Sequence, residues 1–325
     1  MTQNRITAAV DIGSRYVKLG VIDGNGRLKA VELARRPTET NEITALLSGW
    51  VSKHRLERKP VFSSISGPEI NVQYLSIPGL TDKELSGAVR IEAEQVLGDD
   101  LAWMDSDFSP LDPTNEKRGV LFVAAPQVLS DKRISLLKST GLKPVGLTID
   151  SIALANGYLA HSESTSEATL LLNIGHRKSN LAVVAEGKLL FIRDILWGNE
   201  KMVAEIAAAG ELDAPTVLEI LEERKYSRIT FPSAVDKVIK PLLDELEKTF
   251  SYCQQTLEIK VKKLVVTGGG SQIPSLPNFI GEKMVLELKP YPALKENDLR
   301  AEEKERLSPF CAILAGLSVE NNMNS

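Results

Sequence analysis

Residues 8–22 read AAVDIGSRYVKLGVI and residues 170–184 read LLLNIGHRKSNLAVV. At a constant offset of 162 positions the identical pairs are Ile12/Ile174, Gly13/Gly175, Arg15/Arg177, Leu19/Leu181 and Val21/Val183. Apolar runs face apolar runs around them. Each copy then reaches a second turn, Gly24-Asn25-Gly26 or Glu186-Gly187, followed by a further β-rich run, LKAVEL or LLFIRDI. Alternating or continuous apolar runs bounded by Gly and Asn turns are strand and hairpin signals. The spacing therefore predicts two copies of a three-strand meander whose first turn is an Asp/Asn-Ile-Gly loop. Two such β-rich domains, facing each other, would set Gly turns on opposite walls of one cleft. Backbone N–H groups with no Cβ in front of them suit phosphate oxygens.

Working outward, VFSSISG (61–67) and INVQYLSIP (70–78) read as strands. A helix is expected from Asp82 to Leu97, with Thr81 and Glu84 as a capping box and Leu85, Val89 and Val96 as its apolar face. Strands follow near 102–111 and 119–125, then a helix from Gln127 to Thr140 that stops at Gly141 before Pro144. GLTI (146–149) returns as a strand and SIALANGYLA (151–160) as a helix. Residues 69–143 thus form an α+β insert within a first domain of residues 1–165. In a second domain, 166–306, residues 200–260 are helical and KLVVTGGGSQIP (263–274) is a buried strand entering a triple-Gly turn. Residues 307–325 hold a last helix, expected to pack back on the first domain. The fold class is α/β.

Composition narrows the function. The chain has 325 residues with 39 basic and 43 acidic side chains, for a formal net charge of −4. Such a balance offers no field to collect a polyanion, which argues against nucleic acid. The three histidines, His54, His161 and His176, have no metal-ligand spacing. Cys253 and Cys311 stand alone in helix-like stretches and read as buried free thiols. Phe310–Val319 is far shorter than the ~20 apolar residues of a membrane span, and no signal pattern opens the chain. A cytoplasmic protein is expected.

DIGS (11–14), NIG (173–175) and TGGG (267–270) resemble the phosphate-1, phosphate-2 and adenosine motifs of the actin/Hsp70/sugar-kinase ATPases. The insert resembles the relocated subdomain of FtsA and PilM. AVRIEAEQVLG (88–98), VLFVAAPQ (120–127), GLKPVGLTIDSIALAN (141–156), DELEKTFSYC (244–253) and SPFCAILAGL (308–317) are similar to the PilM family of type IV pilus assembly proteins. The resemblance covers essentially the whole chain. It implies an actin-like (duplicated ribonuclease H-like) two-domain fold with an FtsA/PilM-type insert.

It also implies ATP and Mg²⁺ as cofactors. The turn Gly13-Ser14-Arg15 and the ammonium of Lys18 would meet the β- and γ-phosphates; a solvated strand lysine is the plain alternative for Lys18. Asp11 would order water around Mg²⁺, an ion that usually keeps several waters, or simply cap its turn. Asn173, Gly175 and His176 would form the second phosphate loop. Gly268, Gly269 and Gly270 would lie against adenine and ribose, unless they serve only as a tight turn. Glu245, Lys248 and Thr249, on one helical face, would reach the ribose and base. Asp150 stands where actin has its water-orienting glutamine, or caps its helix.

One departure limits chemistry. The second loop of the family carries Asp, whereas Asn173 can neither charge a metal shell nor act as a base. The expectation is ATP binding with very slow or absent hydrolysis. The implied role is a scaffold that docks on the N-terminal cytoplasmic tail of a PilN-like single-pass membrane protein, in a groove between the first meander and the insert. The short polar tail VENNMNS offers no anchor of its own, so membrane contact would come through that partner; homo-oligomerisation is left open. Two alternatives stand beside it, a small-molecule kinase using Asp150 and a nucleotide-free scaffold like GspL.

Overall fold

The computed structural model describes residues 6–78, 82–111, 117–163, 166–228, 235–292 and 306–319. Strands β1 (Ala8–Ile12), β2 (Tyr16–Ile22) and β3 (Leu28–Arg35) form the first meander. Helix α1 (Thr40–His54) leads to β4 (Pro60–Ile65), and β8 (Lys143–Ile149) completes a sheet of order β3-β2-β1-β4-β8. In the second half β9 (Ala168–Ile174), β10 (Ser179–Ala185), β11 (Lys188–Ile195), β12 (Val261–Thr267) and β13 (Glu287–Lys289) form a sheet of order β11-β10-β9-β12-β13. In both, the first three strands are antiparallel and the last two run parallel to the first. The duplication read in the sequence is a duplication of topology.

Alternate residues sort the layers, as a period-2 strand requires. Leu170, Leu172, Ile174, Leu181 and Val183 face one core with α5 (Glu200–Ala209), α6 (Ala214–Glu222), α7 (Val235–Thr256) and α8 (Leu276–Met284). Leu171, Ala182 and Val184 face the opposite core, shared with Ala9, Ile22 and Leu28 of the first sheet. Between the sheets lie α4 (Asp150–His161) and α9 (Ala312–Val319). These two helices touch backbone to backbone. A Cβ on Gly316 would stand 1.7 Å from the Ala153 carbonyl oxygen, so only glycine fits. The outer face of the first sheet is covered by α1, through Ile43, Leu47 and Val51, and by α3 (Gln127–Ser139), through Leu137.

The insert has its own antiparallel sheet, β5 (Asn71–Pro78), β7 (Lys117–Pro126) and β6 (Met104–Pro110) in spatial order, under α2 (Asp82–Leu97). Helix α3, placed with the insert in the sequence reading, packs on β7 and β6 of the insert as well as beside β8 and β4, and shares the core of α1. Leu85, Val89 and Ala93 form the buried stripe of α2, whereas Val96 is 49 % exposed, so the expected face is corrected at that position. Thr81 lies outside the described residues. Tyr74 ties the insert to the second five-stranded sheet. Its hydroxyl accepts from the Ile192 N–H and donates to the Ile192 carbonyl on edge strand β11, and its ring stacks on Phe191. Cys253 and Cys311 are buried and free, and burial pushes their thiols up to about 11 and about 12.

Candidate functional site

The two hairpins agree residue by residue. Asp11 opposes Lys18 and Ile12 opposes Val17; 162 positions on, Asn173 opposes Asn180 and Ile174 opposes Ser179. Each turn is closed by one bond, from the Gly13 N–H to the Tyr16 carbonyl at 2.9 Å and from the Gly175 N–H to the Lys178 carbonyl at 3.0 Å. Even the ladder irregularity on the outer side recurs, at Val21/Ile22 and Val183/Val184. The side chains at matched positions do different work.

The first turn is ionic. Asp11 is 4 % exposed and its Oδ2 lies 2.5 Å from Lys18 Nζ, so Lys18 is neither solvated nor free. Glu222, the last residue of α6, meets this turn from the second half of the chain. Its Oε1 accepts from Arg15 Nη2 at 3.2 Å and from the Tyr16 hydroxyl, and its Oε2 accepts from Arg35 Nη2 at 2.7 Å. Burial pushes the Glu222 carboxyl up, but the hydrogen bonds from Arg35 and Tyr16 and the Arg35 charge outweigh it and hold the group below its usual range. Burial first, and Glu222 second, push Tyr16 up to about 12. The Arg36 guanidinium donates to the Gly13 carbonyl at 3.1 Å.

The second turn is packed and mostly amide-bonded. Asn173 Nδ2 donates to Asn180 Oδ1 at 3.0 Å, and Asn180 Nδ2 donates to Asp194 Oδ1 at 2.7 Å. Lys178 Nζ lies 2.5 Å from Asp194 and 3.7 Å from Asp150. Burial alone would lower the Lys178 ammonium; the charges of Asp150 and Asp194 outweigh it and raise it. The start of α5 seals the loop, with Asn199 N–H on the Gly175 carbonyl, Glu200 N–H on the His176 carbonyl, and His176 Nδ1 3.0 Å from Asn199 Oδ1. Asp150 is the first residue of α4 and makes no capping bond; Ile149 holds the cap position. Its helix-cap alternative is thereby corrected, and its carboxylate faces Lys178.

The remaining expected residues divide. Gly268 has φ +83, and a Cβ there would stand 2.5 Å from Asn173 Oδ1 and from the Ile174 carbonyl. A Cβ on Gly270 would meet Ile174 at 2.2 Å. These two glycines are required by packing on the second hairpin. At Gly269 a Cβ would have only ordinary contacts, 3.5 Å from Asn199 and Phe310. Phe310 in turn packs edge-on against Tyr16, with ring centroids 5.1 Å apart. Glu245 pairs with Arg193 at 2.7 Å and with Lys248 at 2.6 Å. Thr249 is fully buried, with its hydroxyl donated back to the Glu245 carbonyl, so it cannot reach a base. Among the described residues no hydrogen bond or ion pair joins this triplet to the turns.

The sequence reading missed Glu222, Asp194 and Arg133. Arg133, on α3, is half-buried; its Nη1 donates to Ser63 Oγ at 3.0 Å and to the Ser64 carbonyl. Burial lowers its guanidinium, and Asp150 and Asp11 are the charges that hold it up. A lone charged residue on a helix carries no sequence signal of such a role.

The residues fit a phosphate group. Arg15 Nε is the buried side-chain nitrogen or oxygen left without a hydrogen-bond partner among the described residues, and a buried donor left so is costly. The Ser14 and Arg15 amides are also without an intramolecular acceptor among those residues. A phosphate oxygen is an acceptor that such donors take. The residues do not fit Mg²⁺ in the same way. Asp11 is the one carboxylate on the two turns and is committed to Lys18, while Asn173 is neutral.

Against known families, residues 29–318 match the family described as Type IV pilus assembly protein PilM. Among solved structures, a PilM–PilN type IV pilus biogenesis complex is similar with a TM-score of 0.82 at 21 % identity, over 98 % of this chain and 99 % of that one. The ethanolamine utilization protein EutJ from Carboxydothermus hydrogenoformans reaches 0.56 at 13 % identity, over 96 % and 89 %. MreB 5 of Spiroplasma citri bound to AMPPNP reaches 0.52 at 11 % identity, over 98 % and 97 %. At these identities the likeness shows a shared, actin-like fold.

Proposed function

The chain belongs to the PilM family of type IV pilus assembly proteins, and from that premise we propose that it is a nucleotide-binding scaffold docking on the cytoplasmic tail of a PilN-like membrane protein. The carrying observation is that the family match runs over residues 29–318 and that the likeness to a PilM solved with PilN covers 98 % of the chain. No helix among the described residues is long and apolar enough to cross a membrane. A tail from a bitopic partner would hold the protein at the inner face of the membrane.

The tail's place is a hollow of about 540 Å³ between the insert and α3, lined by Trp103, Pro126, Val128, Asp131 and Lys132. The groove expected from the sequence lay between the first meander and the insert; we place the tail in this hollow because of its exposed apolar lining. Trp103 is 75 % and Val128 59 % exposed, an apolar pair that an extended peptide would cover. A synthetic PilN-like N-terminal peptide should bind the protein and should lose at least tenfold in affinity on Trp103→Asp or Val128→Asp. Unchanged affinity in both variants would place the interface elsewhere.

ATP is the expected nucleotide, held by the Ser14 and Arg15 amides and Arg15 Nε. It should raise the melting temperature, because a ligand that binds only the folded state stabilises it by mass action. Phosphate release should be very slow or undetectable, since Asn173 supplies no base and Asp11 is occupied by Lys18. Brisk turnover would overturn that part. The kinase alternative is not favoured: its required carboxylate, Asp150, faces Lys178. The working division is residues 1–165 and 166–306, with residues 307–325 returning to the first domain.

A further inference from the structure

The parallel strands of the first sheet begin at the end away from the Gly13 turn, and basic side chains collect there. The β2–β3 turn and the start of β3 carry Arg27 and Lys29, the loop from α1 to β4 carries Arg55, Arg58 and Lys59, and Lys138 and Lys143 flank the loop from α3 to β8. All are exposed. The last two loops are tied together by the Arg58 N–H on the Gly141 carbonyl at 2.7 Å and the Lys143 N–H on the Lys59 carbonyl at 2.9 Å. The cations follow the sheet from edge strand β3 to edge strand β8, about 20 Å apart at about 4.8 Å per strand. Asp23 and Glu57 are the acidic residues on these segments, and Asp23 is held by the Asn25 and Arg27 N–H groups. Among the described residues none of these cations has an ion-pair partner. The C-terminal ends of α1 and α3 open here and match about one positive charge between them; the rest is uncompensated. The corresponding end of the second sheet is built otherwise. Lys262 and Lys263 both close on Glu167 at 3.0 Å, and Lys289 pairs with Glu287. One end of the duplicated sheet is thus paired internally in the second copy and left positive in the first, in a chain whose formal net charge is −4.

We propose that this end of the first sheet is a contact surface for anionic phospholipid headgroups. A spread of this width suits a plane of charges better than one small anion, and the three segments contain no aromatic side chain on which a base would stack. Lys and Arg close to an anionic leaflet are attracted within about a Debye length. The choice of lipid rests on the proposed docking at the membrane. Helix α3 joins the two surfaces: its first turns line the peptide hollow and its last turn holds Lys138. At about 1.5 Å per residue α3 is about 20 Å long, which about six extended residues of a tail would cover. A weak lipid contact and a tail contact on one body reinforce each other, because each raises the effective concentration for the other.

Flotation of the full chain with vesicles, in the absence of any PilN-like peptide, tests this. One set of vesicles is phosphatidylcholine alone and the other is equal parts phosphatidylcholine and phosphatidylglycerol. At low salt the protein should bind the anionic set at least tenfold more tightly, and added salt should release it by screening. Arg58→Glu/Lys143→Glu should lose at least tenfold on the anionic vesicles, whereas Lys262→Glu/Lys289→Glu, the same change of charge on the second sheet, should stay within about threefold. Melting curves check that each variant folds, and Arg58→Gln/Lys143→Gln asks the same question if the charge reversal does not. Equal binding to both sets, no binding to either, or an Arg58→Glu/Lys143→Glu protein no weaker than its second-sheet control would overturn the inference. Tighter binding of a duplex oligonucleotide through the same residues would also overturn it. None of these results touches the peptide titration, which tests the docking reading separately.

Discussion

The first and second hairpins share a register, a turn and a ladder irregularity, yet one is held by charges and the other by close packing. At matched positions an Asp11–Lys18 ion pair is replaced by an Asn173–Asn180 amide pair. The first turn reaches across to a carboxylate of the second domain, while the second is sealed beneath the start of its own helix α5. Duplication conserved the backbone, and the interactions diverged. Substitutions should therefore act through packing and neutral hydrogen bonds at the second hairpin, and through charge, pH response and ligand at the first.

The largest expected effect is Gly268→Ala. The positive φ and a Cβ 2.5 Å from the Ile174 carbonyl leave no relaxation short of moving the second hairpin, and this should cost about 3 kcal/mol or more. Gly13→Ala, whose Cβ would be 3.3 Å from the Tyr16 carbonyl, should cost about 1 kcal/mol. Urea unfolding of the two variants measures the contrast, and equal losses would break it. Next comes Asp11→Asn, which leaves the Lys18 ammonium half-enclosed and unpaired. A fully buried broken pair costs about 3–5 kcal/mol; with Lys18 14 % exposed, about 2–3 is expected. Asn173→Ala removes one neutral hydrogen bond and should cost about 1–2 kcal/mol.

The meander was legible because period-2 apolar runs and Gly turns are local signals, and two copies at one offset reinforced each other. Helix α1 was equally local, with Ile43, Leu47 and Val51 four apart, but went unread beside the more conspicuous repeat; so did α8 and β13. Thr249 failed for a physical reason. Residues three and four apart share a side of a helix, but the boundary between buried and exposed runs through that side, and spacing alone cannot place it. Glu222 was illegible in principle. Its role arises where it meets Arg15, 207 residues away in the chain, and nothing near it in sequence records that approach.

Glu222→Gln should cost about 1–2 kcal/mol at neutral pH through weakened charge-assisted bonds to Arg15 and Arg35. The pH dependence sharpens the comparison. The folded Glu222 carboxyl lies below its ordinary value of 4.5, so its contribution is present above that value and is lost as pH falls through the folded pKa. Tyr16 is raised from 10.0 to about 12, so its contribution is complete below about 10 and is lost as pH rises towards 12. Melting temperature against pH should therefore fall on both sides for the wild type. In Glu222→Gln the acid limb should flatten, and the alkaline limb should shrink because Tyr16 loses one of the groups that raise it. Unchanged limbs would show that the bridge between the domains contributes nothing in solution.

The smallest effect should come from the one charged residue that both copies retain. Arg15 and Arg177 occupy the same turn position, so a role fixed by the repeat would give them equal weight. Their surroundings say otherwise. Arg15 is 19 % exposed and bonds Glu222 at 3.2 Å, with a buried Nε still unpartnered. Arg177 is 72 % exposed and sits 3.9 Å from Glu200, itself 42 % exposed. Exposed pairs gain little because water already solvates both charges and the long side chains lose freedom on pairing. Arg177→Ala should change stability by less than about 0.5 kcal/mol, and added salt, which screens what attraction there is, should shrink the difference further. Arg15→Ala should cost about 1–2 kcal/mol, since Glu222 loses a charged partner in a partly buried setting. It should also weaken nucleotide binding, which Arg177→Ala should leave within about twofold. Parallel urea curves at low and high salt, with ATP titrations of both variants, measure all of this. A loss at Arg177 as large as that at Arg15 would mean that the turn itself, and not what surrounds it, sets the weight of its arginine.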